Sequence, residues 1–421
     1  MQRYRATLDT VGGCAASAIA GLALMVPIDT GCAAESSALQ MTLLSVTVPR
    51  ATAVGVIIAV LAAVCVRMFG TRTAWGTATV ATLILVINHL LVHATSASLA
   101  TANFVDSIAA GVLLGAAGAA ALESRPPAIG FLLGALIGVT VGDHIATIAA
   151  EEGTKSLLER AFVDLPPYWL TAPTMGLLAV CFTLSPRAGL ASYSTALNLP
   201  FAPVLAAAVA VTTIDVVSER LTTATSGTAV IVAGTLAVLA AAVIAALLLP
   251  ERDGTLTLLA VALAATGSAI AIAAQAHWKL APILTVMALG LAAGLRHQAP
   301  VVAAAAIVAL GVFALLAPGT RHDDSWTALI GSCALAALAG YSFGAVTTRG
   351  TAGTVLAIGL LFIPTAVLAL EFRGCDTLPL HPKQAVGSGD RAAWMAIALG
   401  AGCLAAVIAL RHLRPERVEQ D

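Results

Sequence analysis

Apolar side chains run along this chain in long, nearly unbroken stretches, punctuated by short clusters of arginine, acidic residues, proline and glycine. Fourteen stretches stand out, near 12–31, 51–69, 74–96, 104–122, 127–149, 167–185, 200–217, 227–249, 254–274, 280–295, 299–317, 327–345, 353–371 and 392–411. Each reaches or approaches the roughly 17 to 25 residues that a helix rising about 1.5 Å per residue needs to cross about 30 Å of hydrocarbon. Strands of a membrane barrel would alternate apolar and polar positions over about ten residues. Val301 to Leu316 is apolar on every face instead, so the pattern predicts helices. Most connections are short, and neighbouring helices must then run antiparallel.

Composition turns these helices into membrane spans. Of 421 residues, 59% are apolar and 10% charged, against about 25% charged in soluble domains. With a mean hydropathy of +0.96 the chain lacks the surface to dissolve, and the lipid bilayer is its solvent. The net charge of −1 leaves no basic footprint for nucleic acid. Most soluble enzyme classes, disordered chains and disulfide-rich scaffolds are thereby excluded. Ala, Val, Leu and Gly supply the apolar mass, which makes thin helices that can approach closely. The seven cysteines carry no CxxC pair, and most fall inside predicted helices, where a thiol is a small hydrophobe. Only Cys32 and Cys375 fall near the expected outer face.

Arginine in the short loops sets the orientation. Arg3, Arg5, Arg67, Arg72, Arg125, Arg252, Arg296, Arg349 and the basic tail after residue 410 fall on one side. Most loop acids, among them Glu151, Glu152, Glu219, Asp323 and Asp376, fall on the other. An even number of spans then places both termini in the cytoplasm. Asp29 interrupts the first stretch where a cleaved signal peptide would need small neutral residues, so this stretch is expected to be a span. The alanine-rich composition points to a GC-rich genome and hence a bacterial inner membrane.

A larger repeat follows. Pro27-Ile28-Asp29-Thr30 closes the first stretch as Thr212-Thr213-Ile214-Asp215 closes the seventh, and the 59–64 and 237–242 runs match. Stretches two to five recur at near-constant spacing in stretches eight to eleven. Two six-helix halves are expected, 1–190 and 195–347, followed by two extra helices and a basic tail at 348–421. Another division places the extra pair at 200–249, between the halves.

Charged groups inside a bilayer cost roughly 3 kcal/mol or more each, so those present are functional candidates. Asp29, Asp106, Asp143 and Asp215 are the carboxylates within or beside the spans, with His89, His93, His144, Asn88 and Asn103 near them. His89 and His93, four residues apart, share a helix face. Such groups can exchange protons near neutral pH, or simply bond across helices. His-x3-His without a third ligand makes no metal site, and no cofactor motif is present. Gly134, Gly138 and Gly142 lay a smooth stripe along one helix face, where a neighbouring backbone can come close.

Together these pieces resemble the major facilitator superfamily, particularly its 14-helix drug:proton antiporter branch. Ile28-Asp29-Thr30 resembles the Asp-Thr near the end of that branch's first helix. The helix-five motif GxxxGPxxGG lines up with Gly134, Gly138 and Gly142, with Val139 in the proline position and Asp143 at the last glycine. The loop that reads like D-R-x-G-R-R in the family is Arg67-Met68-Phe69-Gly70-Thr71-Arg72, which keeps Gly70 and Arg72 and lacks the Asp. The helix-four arginine position is Ser107, beside Asp106. The resemblance implies two six-helix bundles rocking around a central cavity. In it Asp29 would be the proton or substrate carboxylate, with Asp106 and Asp143 as secondary candidates; His89 and Asp215 join the candidate cavity groups only as polar side chains in or beside the spans. Gly70, Arg72 and the glycine stripe would serve the gate, and the missing loop Asp would have latched it.

The expected fold is therefore all-α and polytopic, two six-helix bundles plus two extra transmembrane helices. The expected function is secondary active transport: proton-coupled export of a hydrophobic or amphiphilic small molecule, because few charges fall within the spans. Two other readings remain open. The chain could be a non-transporting scaffold of an envelope assembly, given the lost loop Asp and helix-four Arg. It could also be a lipid-linked transferase, although loops 150–166 and 372–391 hold no nucleophile–base pair. No GxxxxGK[ST] occurs, which argues against ATP-driven pumping.

Overall fold

A computed structural model describes residues 2–25, 38–94, 99–148, 166–186, 201–223, 227–250, 252–270, 279–317, 326–346, 350–371 and 389–414. They form helices α1 (Gln2–Leu24), α2 (Ala38–Arg67), α3 (Thr71–Ala94), α4 (Leu99–Ala121), α5 (Arg125–Ile148), α6 (Tyr168–Leu184), α7 (Phe201–Thr223) and α8 (Thr228–Leu248). There follow α9 (Asp253–Ala269), α10 (Leu280–Arg296), α11 (Pro300–Leu316), α12 (Trp326–Ala345), α13 (Thr351–Leu360), α14 (Leu368–Glu371) and α15 (Gly389–Leu413). The described residues contain no strand, as a chain surrounded by hydrocarbon requires of a non-barrel. Among them, nine helices are long and apolar enough to cross a membrane, and five shorter apolar helices accompany them. The chain is a multi-pass membrane protein.

Several boundaries differ from expectation: α2 starts at Ala38, thirteen residues before the apolar stretch at 51, and α7 runs on to Thr223. Helix α1 starts at Gln2, ten residues before the apolar stretch, with Arg5 and Asp9 on adjacent turns 3.7 Å apart. The stretch at 353–371, expected as one helix, is interrupted. Pro364 has no N–H to give to the Leu360 carbonyl four residues back, and its ring clashes there. The chain tightens instead through Leu361 and Phe362 N–H bonds to the Ile358 and Gly359 carbonyls. Thr365 then accepts the Leu368 N–H at 3.2 Å and starts α14.

Small residues fix how the helices pair. Along the α1–α5 seam, a Cβ on Gly134 would meet the Cys14 carbonyl and the Ser17 hydroxyl, and one on Gly142 would sit 2.7 Å from Met25 Cβ. Midway, the Cα of Gly138 lies where a Cβ on Gly21 would have to go. Helices α2 and α4 meet in the same way at Gly55 and Gly111, and α3 packs on α6. Thus the first unit pairs α1 with α5, α2 with α4 and α3 with α6.

The same scheme recurs as α9 with α13, α10 with α12, and α11 with α15. The α10–α12 seam is again glycine on backbone, with Gly290 against the Ala337 carbonyl and Gly340 against that of Met287. This differs from the division read from the repeat, in which 195–347 formed the second unit and 348–421 held the extra pair; the other division, with the extra pair at 200–249, sets apart the segment of α7 and α8. Helices α7 and α8 instead pack on each other, α7 also on α2 and α8 on α9 and α15. Matched Ala/Val/Leu runs reflect composition, whereas partner choice follows where the small residues stand.

Candidate functional site

The two paired units meet along α2, α4 and α5 on one side and α10, α12 and α13 on the other. Val56 fits over Gly359, and Gly118 faces Val355. Gly21 of α1 lies against Phe362 in the break after α13. Thr140 of α5 points its hydroxyl at the Met287 sulfur of α10, 3.7 Å away. The contact surface is apolar and thin-walled.

Of the expected cavity carboxylates, two have described side chains. Asp106 on α4 accepts a hydrogen bond from the Asn88 amide of α3 at 2.9 Å, and the same amide reaches the Ala102 carbonyl at 3.0 Å. Near it, the Asn103 amide nitrogen and the Ser107 hydroxyl are buried without a hydrogen-bond partner among the described residues. Ser107, where the resemblance expects an arginine, is 1% exposed, and its carbonyl abuts Gly55 of α2. The site is too tight for a long cation. Asp215 is placed elsewhere, on α7, within electrostatic reach of Arg50 and Glu219. The structure thus gives Asp106 and Asp215 different surroundings. Asp29 lies outside the described residues, and Asp143 falls on α5 with its side chain outside them. His89 packs edge-on against the Tyr168 ring of α6, centroids 5.5 Å apart.

The gate candidates sit within the first unit. Gly70 takes φ 87° in the turn between α2 and α3, a left-handed conformation that glycine adopts without cost. Arg72 lays its guanidinium over the Phe182 ring of α6 at 4.8 Å, and Thr71 donates to Glu123 at 2.8 Å. The Gly134–Gly138–Gly142 stripe faces α1, so it joins helices of one unit.

Three features escaped the sequence reading. Arg50 of α2 donates to both carboxylate oxygens of Glu219 of α7, at 2.8 and 2.9 Å. The apolar pattern alone puts both residues in loops. Asp253, at the start of α9, is only 3% exposed and packs against Gly350 and Gly353 at the start of α13. It lines a cavity of about 370 Å³ with Val64, Arg67, Met68, Pro203 and Thr351, between α2, α7, α9 and α13. Beside the break, Ser218 of α7 donates to the Pro364 carbonyl at 3.1 Å, and the Thr365 hydroxyl donates to that of Ser268 of α9 at 2.7 Å. Pro364 within an apolar stretch was the available signal.

No protein-family model and no curated protein matches the sequence. The fold does match solved structures. The xylose transporter XylE from E. coli, in a partially occluded inward-open conformation, superposes with a TM-score of 0.52 at 15% identity, over 98% of this chain and 99% of that one. Its inward-open conformation gives a TM-score of 0.49 at 15% identity, over 99% and 97%. The chain shares the overall fold of that transporter; at such low identity the likeness does not extend to the antiporter branch.

Proposed function

We propose that this chain is a secondary active transporter of a bacterial inner membrane, with both termini cytoplasmic. Its moving parts are two six-helix units, α1–α6 and α9–α15, with α13 and α14 counted as one interrupted span. Helices α7 and α8 are the inserted pair. The observation that carries this reading is the recurrence of one pairing scheme in two units that touch across a glycine-relieved, apolar surface. Duplicated units and an interrupted helix at their interface are what alternating access uses.

The cargo proposed is a hydrophobic or amphiphilic small molecule, exported against proton entry. The likeness to a xylose transporter supports carrier architecture and leaves the cargo open. Contacts such as Val56–Gly359 and Gly118–Val355 favour an apolar guest over a sugar, which wants several hydrogen-bonding side chains. Asp29, Asp106, Asp143, Asp215 and His89 are the groups proposed to carry protons. Asp106 is supported by its Asn88 donor, which fixes the carboxylate while leaving one oxygen for a proton.

Reconstitution in proteoliposomes with an imposed proton gradient tests this, with ethidium as the probe. Gradient-driven ethidium movement is expected in the unmodified protein, and its pH dependence should disappear in Asp29→Asn. Unchanged pH dependence in that variant would remove the proton role of Asp29. A scaffold would move no probe under any gradient.

A further inference from the structure

Helix α7 touches both units. Toward the second, Ser218 donates to the Pro364 carbonyl in the α13–α14 break, and α8, packed on α7, lies against α9 and α15. Toward the first, α7 packs on α2 and its Glu219 holds Arg50 through both carboxylate oxygens. Arg50 stands near the start of the α2 span Val48–Arg67, and Glu219 near the end of the α7 span Phe201–Thr222. The ion pair therefore closes one end of the α2–α7 contact. At the opposite end, Arg67 of α2 and Pro203 of α7 border the 370 Å³ cavity. One end is clamped while the other is open.

We infer that Arg50 and Glu219 form a latch that holds the two units together at the outer face, with α7–α8 as the strap that carries it. The latch rests on the transport reading: the units must part at this end when the outer face opens, and the pair must then separate. A two-point arginine–carboxylate contact is geometrically exacting, yet modest in strength where the side chains are 52% and 37% exposed. That combination suits a contact made and broken in every cycle. Asp215, one turn earlier on α7, lies within reach of both charges and keeps Arg50 in an acidic setting when Glu219 moves.

Spin labels at Val54 of α2 and Val216 of α7, both exposed, report the separation of the two helices in the full chain in lipid nanodiscs, with native cysteines replaced. The intact pair should give a single short distance. Arg50→Glu and Glu219→Arg should each add a longer component, and the combined exchange should restore the short one, which separates loss of the latch from loss of fold. Single variants with an unchanged distribution, or an exchange as broad as the singles, would overturn the latch. Ethidium transport is read in parallel. If the distance follows the ion pair but no probe moves, the α2–α7 clamp stands as a contact while its part in a transport cycle falls with the transport reading.

Discussion

At the scale of single residues, the membrane forces each polar group to find a partner or a tight enclosure. Asn88 and Asp106 show the first and Ser107, closed in against Gly55, the second; close helix approach sets a separate demand for space, as at Gly134. A methyl on Gly134 would press on the Cys14 carbonyl and the Ser17 hydroxyl, which already bonds the Phe131 carbonyl at 2.8 Å. Backbone on both helices would have to shift. Gly134→Ala is expected to cost about 1–3 kcal/mol, as overpacking does, and to lower the melting temperature in detergent. Gly176, with open space around its Cα, is the counterpart. Gly176→Ala should leave melting unchanged or raise it, by up to about 1 kcal/mol of helix propensity. Asn88→Ala removes the donor to Asp106 and should destabilise by about 1–3 kcal/mol, read in the same melting assay. The stripe Gly134–Gly138–Gly142 was legible in the sequence as a close-approach surface. That it faces α1 was not, because spacing gives a face and no partner.

Among whole elements, helix ends and breaks decide the architecture. Arg414, just past α15, donates to the Leu247 and Leu249 carbonyls at the end of α8, each at 2.8 Å. These carbonyls lack an intrahelical N–H, and a cation there also meets the favourable end of the helix dipole. Arg414→Ala should loosen the last turn of α8, costing about 1 kcal/mol, and speed amide exchange there without altering α7. The break after α13 is the second case. Pro364→Ala restores an N–H and allows α13 to continue toward α14. Thermal stability should be kept or raised while ethidium transport falls, since the Phe362 contact with Gly21 would be displaced. The segment 353–371 reads as one apolar stretch because hydropathy is blind to a missing donor.

For the whole molecule, the interface between the units is where packing and function meet. Gly359 accommodates Val56 across it, and Gly359→Val should block the approach of α2 to α13. The expected outcome is a folded, monodisperse protein with transport strongly reduced, checked by size-exclusion profile beside the ethidium assay. The fold likeness to XylE spans 98% of this chain and 99% of that one, so it belongs to the chain as a whole and to no single segment.

Apolar period, arginine placement and small-residue spacing by themselves determined that this chain spans the membrane as helices and that some helices approach very closely. Those are solvent and contact properties that each residue carries locally. Which helices pair, where the second unit begins, and that Arg50 meets Glu219 from 169 residues away were decided only by tertiary structure. Ala-rich helices look alike in sequence, and their partners are chosen by shapes that exist only once the bundle is assembled.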